Sequence, residues 1–273
     1  MKVSVLGSGS GGNAILVVAG ATRILVDAGF SARDLARRLE AQGEDPDGLD
    51  GILITHDHGD HTRGMGVYAR RHGTPLYLTA GTRRACARLL RGGEPVKEYR
   101  AGHPFLIGDL RVEPFVTVHD AADPVGVALV DVATGCRLGV ATDLGRPTAG
   151  IRHALSGCHL LVLEANHDEA LLHAAPYPWS VKARIASSHG HLSNEAAARF
   201  AVELLHDELV AVVLAHLSRE SNDPRLAADV VGRTLRKAGY GGHLEVALQD
   251  EPTAVLDLVE LRRGSGPRQL TFL

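Results

Sequence analysis

The sequence has few of the residues that mark several common classes of protein. Aromatic residues make up only 4% of its 273 residues, and no apolar run approaches the roughly 18 residues that a membrane-spanning helix needs. Its first residues contain one lysine and a short apolar stretch that breaks into glycine, which does not match a secretory signal peptide. We therefore expect a cytoplasmic protein with no membrane partner.

Cysteine is scarce and neither sign of charge dominates. Cys86, Cys136 and Cys158 are too few and too widely spaced for a disulfide framework or a cysteine zinc site, so we expect buried thiols. The formal net charge of −3 gives no overall attraction for nucleic acid. A phosphate-rich substrate would therefore have to be met by a local basic face or by metal ions.

Short apolar runs bounded by glycine and aspartate predict a chain of strands. These runs are Val3–Leu6, Ala14–Val18, Arg23–Val26, Gly51–Thr55, Leu76–Leu78, Leu110–Thr117, Val125–Val132, Arg137–Thr142, His159–Glu164 and Leu209–Ala215. Helices are predicted from Ser31 to about Ala41, over Thr82–Leu90, over Glu195–Leu205 after an Asn194 cap, and between Asp223 and Gly239. Strands and helices come in two successive sets, which predicts two stacked sheets with helices outside them. We assign residues 1–263 to a single domain and the Gly/Pro-interrupted residues 264–273 to a C-terminal tail.

Histidine is unusually frequent, with 15 copies, and four potential metal ligands lie within six residues. His56, His58, Asp60 and His61 follow the buried run Ile52–Thr55 directly. Imidazole and carboxylate together suit zinc, manganese or iron better than calcium or magnesium. A solvated loop that happens to be rich in histidine is the alternative, but the regular spacing behind a buried strand argues against it.

Three further candidate ligands follow other buried strands. His119 comes after Val116–Val118, Asp143 after Gly139–Thr142, and His216 after Leu209–Ala215. Each residue taken singly would more often be a surface or capping residue. Because active sites are commonly built from loops at strand ends, the three together favour one shared cleft.

The pattern His56-x-His58-x-Asp60-His61 resembles the signature of the metallo-β-lactamase superfamily. Asp27, His119, Asp143 and His216 match its other motifs in order. The resemblance implies a single-domain α/β fold, a four-layer αββα sandwich. It also implies a ligand partition: His56, His58 and His119 on one metal; Asp60, His61 and His216 on the other; Asp143 bridging; and Asp27 orienting the ligands from behind.

Such a site predicts a hydrolase with two divalent metal ions, zinc or manganese and with iron as a further candidate. Two metals about 3.5–4 Å apart share a bridging water and lower its pKa toward roughly 7, so that a metal-bridging hydroxide acts as the nucleophile. Asp60 would lie beside that water and could accept its proton. No nucleophilic serine or cysteine is required.

Residues outside the ligand motifs resemble the YycJ/WalJ family of bacterial metallohydrolases over nearly the full length. The likeness rests on Ser8–Asn13, Val118–Pro124, Glu164–Asp168, Tyr177–Arg184, Gly190–Asn194 and Ala215–Ser218. Val118 and Ala165 depart from the family, which usually has serine at these positions. The resemblance implies a metal-dependent phosphodiesterase, a 5′-to-3′ DNA exonuclease with a role in DNA repair.

Several of these residues suit a nucleic-acid strand. Trp179 could stack on a base while Lys182 and Arg184 meet phosphates. It is at least as plausible that Trp179 fills the hydrophobic core and that Lys182 and Arg184 face the solvent. The basic run Arg70–His72 and the cluster Arg83–Arg91 could instead form a phosphate track, although such runs are usually solvated faces.

Two histidines are candidates for proton transfer or phosphate binding. His167 could be a general acid for the leaving alcohol, although a histidine after a strand is more often structural. His191 could hold a phosphate together with Ser193 and the backbone N–H groups of the following helix. Simple helix capping is the alternative for this segment.

Two other functions compete with the nuclease. A small-molecule hydrolase of thioesters, lactones or cyclic phosphodiesters would use the same metals. A non-catalytic metal-binding module is disfavoured, because a degenerated site would be expected to have lost one of the seven ligands.

Overall fold

In the computed structural model, which describes residues 1–264, two seven-stranded β-sheets pack face to face. The first sheet has the order β14-β1-β2-β3-β4-β5-β6 and contains β1 (Lys2–Gly7), β2 (Ala14–Ala19), β3 (Thr22–Val26), β4 (Gly51–Leu53), β5 (Leu76–Thr79), β6 (Val96–Tyr99) and β14 (Leu256–Asp257). The second has the order β13-β12-β11-β10-β9-β8-β7 and contains β7 (Phe105–Ile107), β8 (Leu110–Val116), β9 (Val125–Asp131), β10 (Arg137–Ala141), β11 (Leu160–Glu164), β12 (Ala211–Ala215) and β13 (His243–Val246).

Helices surround the two sheets. They are α1 (Ala32–Ala41), α2 (Gly59–Thr62), α3 (Met65–His72), α4 (Ala80–Ala85), α5 (Ala149–Leu155), α6 (Glu169–Ala174), α7 (Trp179–Ile185), α8 (Asn194–Glu203), α9 (Pro224–Lys237) and α10 (Leu258–Gly264). No helix among residues 1–264 is both long and apolar enough to cross a membrane. Gly264, the first residue of the predicted tail, ends α10, and the rest of that tail lies outside the described residues.

Three apolar layers hold the sandwich together. Val17 and Val140 belong to the central layer between the two sheets, and this layer is formed by strand residues of alternate positions. Leu35 of α1 and Tyr68 of α3 pack on the outer face of the first sheet, while Phe200 of α8 packs on that of the second. The αββα architecture implied by the resemblance is confirmed.

Most predicted elements are found, some with longer and some with shorter ends, and one helix has a different cap. Ser31 caps α1 by accepting the N–H of Asp34, as predicted. The cap of α8, however, is Ser193 and not Asn194, whose side-chain amide instead exchanges hydrogen bonds with the amide of Asn222. The helix predicted over Thr82–Leu90 is the shorter α4, and the strand predicted to reach residue 55 ends at residue 53.

Strands from both sheets end at one edge of the sandwich, where the chain turns sharply. Asp27, Asp123, Asp143 and His216 have a positive φ, between 55° and 65°, and they are the non-glycine residues of the described chain that do so. Left-handed backbone is costly for residues with a β-carbon. Three of these four residues follow β3, β10 and β12, so the strained turns mark the edge at which the predicted ligands meet.

Candidate metal centre

All seven predicted ligands converge at this edge of the two sheets. The first sheet contributes the loop after β4 together with the short helix α2, and the second contributes the turns after β8, β10 and β12. Gly29 allows the close packing of the first loop, because a β-carbon there would lie 1.6 Å from the carbonyl oxygen of Asp60. The sequence motif and the three separate strand ends therefore form one cluster.

One group of four side chains comprises His56, His58, His119 and Asp143, with ligand atoms within 4.8 Å of one another. His119 Nε2 lies 3.3 Å from His58 Nδ1 and 3.7 Å from Asp143 Oδ1. His56 Nε2 lies 3.9 Å from the same carboxylate oxygen. Three imidazoles thus surround one carboxylate at distances that a shared cation would span.

A second group comprises Asp60, His61 and His216, again within 4.8 Å. His216 Nε2 lies 3.2 Å from Asp60 Oδ2 and 3.5 Å from Asp143 Oδ1, and His61 Nε2 lies 3.1 Å from Asp143 Oδ2. The Asp143 carboxylate therefore lies between the two groups, with an oxygen close to histidines of each.

The chemistry of this set fits divalent metal ions. His56 is 2% exposed, its Nδ1 lies 3.0 Å from Thr55 Oγ1, and its Nε2 has no hydrogen-bond partner. Burial and the neighbouring His61 hold the pKa of His56 well below its usual range, so the ring is neutral and Nε2 is free to coordinate. Buried polar atoms without partners are rare, and a metal ion would satisfy this one.

Asp27 lies behind the cluster, in the position that the resemblance implied. Its carboxylate accepts hydrogen bonds from the backbone and hydroxyl of Thr55 and lies 2.7 Å from His61 Nδ1. Because Nδ1 is engaged, His61 presents Nε2 to the cluster. This arrangement fixes the tautomer and the ring orientation.

Asn13 supports the same cluster from the glycine-rich turn after β1, and sequence reasoning gave it no role. Its Nδ2 lies 3.1 Å from His61 Nε2 and 3.3 Å from Asp60 Oδ2. Its Oδ1 accepts the hydroxyl of Ser8, which in turn accepts the N–H of His216. The segment 8–13 carried part of the family resemblance, and that was the only signal pointing to it.

Glu164 is the most important residue that sequence reasoning missed. It is fully buried at the end of β11 and accepts backbone N–H groups of Asp143, Leu144 and Leu192 at 2.9–3.2 Å. Burial acts to raise the pKa of Glu164, but the His191 imidazole beside it lowers that pKa to about 2. Its position at the end of a buried strand, like that of the predicted ligands, was the available signal.

Glu164 also positions two histidines. Its Oε1 lies 2.7 Å from His191 Nδ1 and 3.1 Å from His216 Nδ1. Burial acts to lower the pKa of His191, and the Glu164 carboxylate outweighs it and raises that pKa above the usual value. His191 is therefore a charged or readily charged donor whose Nε2 remains free.

A cavity of about 490 Å³ adjoins the cluster through His191. It brings together five of the residues predicted to act on substrate: His167, Trp179, Lys182, His191 and Ser193. The cation Arg199 of α8 also lines it and was not predicted.

Trp179 does not plug the core, since it is 75% exposed on α7, so the alternative interpretation of this residue is wrong. Arg184 of the same helix does not line the cavity, and its guanidinium lies 3.6 Å from the carboxylate of Asp120. Lys182 lines the cavity and donates to the carbonyl of His173.

The other two predicted residues have structural contacts as well. Ser193 Oγ caps α8 and donates to Glu169 Oε1 at 3.2 Å. His167 is 3% exposed, and its Nδ1 has no hydrogen-bond partner. Burial lowers the pKa of His167 and keeps its ring neutral, which favours His191 over His167 as a proton donor.

Known proteins are similar to this chain in sequence and in fold. The family described as "Beta-lactamase superfamily domain" matches residues 22–216. The exodeoxyribonuclease YycJ of Bacillus anthracis is 36% identical over 244 residues, which cover 88% of this chain and 91% of that protein. The exodeoxyribonuclease WalJ of Streptococcus pneumoniae is 32% identical over 265 residues, which cover 95% and 98%.

A solved structure extends the comparison to the fold. The metallo-β-lactamase fold protein YhfI of Bacillus subtilis superimposes with a TM-score of 0.69 at 17% identity, over 93% of this chain and 99% of that one. Since the family match spans most of the chain and two relatives align along nearly their whole length, this chain is a metallo-β-lactamase-superfamily hydrolase of the YycJ/WalJ family.

Proposed function

We propose that this chain is a phosphodiesterase that uses two divalent metal ions, zinc or manganese, to remove nucleotides from the 5′ end of DNA. The observation that carries the proposal is the cavity beside the ligand cluster, in which an exposed tryptophan and two cations face a histidine held by Glu164. The relatives named exodeoxyribonucleases support DNA as the substrate. The 5′-to-3′ direction and a role in DNA repair rest on the family resemblance.

The seven side chains would divide between two ion positions, as the family resemblance implies. His56, His58 and His119 would hold one ion, Asp60, His61 and His216 the other, with Asp143 between them. When bound, such ions supply a water-derived nucleophile near neutral pH and neutralise charge on the phosphate oxygens.

Two protein groups would handle protons, one as acceptor and one as donor. Asp60 Oδ2 lies inside the cluster, 3.2 Å from His216 Nε2, and would accept a proton from the attacking water. His191 would donate a proton from Nε2 to the leaving oxygen, since its Nδ1 is held by Glu164. His167 lines the same cavity and is the alternative donor.

The cavity would bind the nucleotide on one side of the scissile bond. Its volume of about 490 Å³ lies within the 300–1,000 Å³ usual for small-ligand sites, so it would hold a nucleotide rather than a long strand. Trp179 would stack on the base, which would contribute about 1–3 kcal/mol to binding, and Lys182 and Arg199 would contact phosphates.

The first experiment incubates the purified protein and Mn²⁺ or Zn²⁺ with single-stranded DNA labelled at the 5′ or the 3′ end. We expect early release of labelled nucleotide from the 5′ label only. Asp60→Ala should abolish release, and the control His243→Ala, at an exposed histidine outside the cluster, should not. Turnover of a thioester or lactone without release of nucleotides would overturn the nuclease proposal in favour of a small-molecule hydrolase.

A second experiment separates the two histidines. His191→Gln should slow DNA cleavage by roughly 10²–10⁴-fold, the usual contribution of a general acid. The loss should largely disappear on a p-nitrophenyl ester of thymidine phosphate, whose leaving group needs no proton. If His167→Gln shows this pattern and His191→Gln does not, the proton donor is His167.

A further inference from the structure

A second concavity, which we call the arginine groove, lies beside α1 and has a volume of about 830 Å³. Five arginines line it against two carboxylates, Asp34 and Asp250; the arginines are Arg33, Arg37, Arg38, Arg63 and Arg219. It shares no lining residue with the cavity beside His191. In a chain with a formal net charge of −3, this is a local concentration of positive charge.

The two carboxylates neutralise only part of the positive charge of the five arginines. Asp34 pairs with Arg37 and Arg38, and Asp250 pairs with the exposed Arg219. Arg38 is buried, and its guanidinium lies over the ring of Phe30, 4.0 Å from the centroid, so its role is structural.

Two exposed arginines of the groove lack an acidic partner. Within residues 1–264, the side chain of Arg33 makes no hydrogen bond or ion pair, and the side chain of Arg63 donates only to the carbonyl oxygen of Gly11. Guanidinium groups suit phosphate because they offer paired N–H donors and a permanent charge.

The groove lies against the same loops that carry the candidate metal ligands. Arg63 is two residues beyond His61, and Arg219 is three residues beyond His216. Gly11 is two residues before Asn13, which contacts both Asp60 and His61. A chain seated in the groove would therefore lie beside the loops that carry the candidate ligands.

Hydrogen bonds from Gln249 hold the side of the groove next to the cluster. The side-chain amide of Gln249 accepts the N–H of Gly11 at 2.6 Å and donates to the carbonyl of Gly12 at 2.7 Å. A β-carbon at Gly11 would lie 2.8 Å from Gln249 Oε1, so a larger residue there would displace the Gln249 side chain. The loop is held in place before any ligand arrives, which lowers the entropic cost of binding.

We propose that the arginine groove binds the phosphate backbone of the single-stranded DNA that continues beyond the scissile bond. The proposal rests on the proposed nuclease function. The cavity beside His191 holds about one nucleotide, so the remaining strand needs another surface, and the groove supplies positive charge at the loops of the site. The exposed arginines of the region Arg83–Arg91 are the alternative binding surface for this strand.

The test compares Arg33→Ala and the double variant Arg33→Ala/Arg63→Ala with the control Arg88→Ala, at an exposed arginine outside the groove. We expect KM for a 20-nucleotide strand to rise several-fold in the double variant and to rise less in Arg33→Ala. Turnover of a p-nitrophenyl ester of thymidine phosphate, which is too short to reach the groove, should stay unchanged. The slope of log affinity against log salt should fall by about 0.7 for each arginine lost.

Binding is measured separately, by fluorescence anisotropy of the labelled strand with Asp60→Ala, alone and combined with the groove substitutions. If the wild-type protein cleaves no DNA but the groove substitutions still weaken this binding, the nuclease function falls and the groove assignment stands. An unchanged KM and anisotropy in both groove variants would overturn the groove assignment. Equal loss in Arg88→Ala, or equal loss on the short ester, would also overturn it.

Discussion

Removal of Glu164 tests whether one buried carboxylate organises the candidate metal centre. In Glu164→Ala, three backbone N–H groups and two imidazoles lose their acceptor inside the protein. An unsatisfied buried donor costs roughly 1–3 kcal/mol, so the three backbone groups alone would cost about 3–9 kcal/mol. Water entering the vacated space offsets part of this, and we expect a loss of about 3–5 kcal/mol in the free energy of unfolding.

The isosteric Glu164→Gln is the sharper variant because it keeps the volume and one acceptor oxygen. We expect it to lose less stability than Glu164→Ala and to bind metal about 10–100-fold more weakly, since His216 loses its orienting carboxylate. Urea unfolding of the metal-free protein and metal titration measure the two effects. The control Glu203→Gln, at an exposed glutamate paired with Arg152, should change neither.

The stability difference should also depend on pH. The pKa of Glu164 is lowered from 4.5 to about 2, so its ionised form stabilises the folded state fully above pH 4.5. This contribution is lost as the pH falls through about 2, and the gap between wild type and Glu164→Gln should narrow from pH 7 to pH 3. A gap that stays constant, or metal affinity equal to that of wild type, would refute the role assigned to Glu164.

Three further outcomes follow from the strained turns, the thiols and the metal site. Because φ at His216 is +57°, the metal-free His216→Gly variant should be about 1–2 kcal/mol more stable in urea unfolding than His216→Ala. At His56, the control position, His56→Ala should be more stable than His56→Gly. The opposite order at His216 would contradict the strain. Burial raises the pKa of Cys86 and Cys158 to about 11, so thiol reagents at pH 8 should label both residues slowly until the protein unfolds. Rapid labelling of the folded protein would contradict their burial. Chelation should lower Tm and zinc should restore it; at a free zinc concentration 100 times Kd, the gain in the free energy of unfolding should be about 2.7 kcal/mol. An unchanged Tm would contradict a metal site in the folded state.

The sequence was most informative where chemistry and strand ends coincide. A buried run followed by His56 and His58 predicted both the strand and the cluster, because apolar patterning and ligand type are local properties. His119, Asp143 and His216 were found by the same rule applied to other strands. The two successive sets of strands and helices predicted two stacked sheets, and the family resemblance implied the αββα sandwich.

Features that depend on tertiary contact were missed. Ser193 and Asn194 are both good cap residues, and the contact with Asn222 from a distant loop decides between them. The sequence predicts Glu164 only as the last residue of a strand, and the fold shows that its carboxylate faces two histidines. The arginine groove escaped notice for the same reason, since its arginines come from positions 33 to 219.

The candidate centre combines several arrangements that each oppose folding on their own. Asp143 and His216 are held in left-handed turns, His56 has a buried nitrogen without a partner, and Glu164 is charged in the core. Strained backbone of this kind costs of order 1–3 kcal/mol per residue and persists only where its surroundings enforce it. Here the enforcing contacts are the backbone donors around Glu164 and the Asn13 turn, which hold the ligand atoms together before a metal arrives. A bound metal ion would satisfy the unpaired nitrogen of His56, and because the loops are already held in place, the energy that these turns cost in folding would be recovered as affinity for the ion.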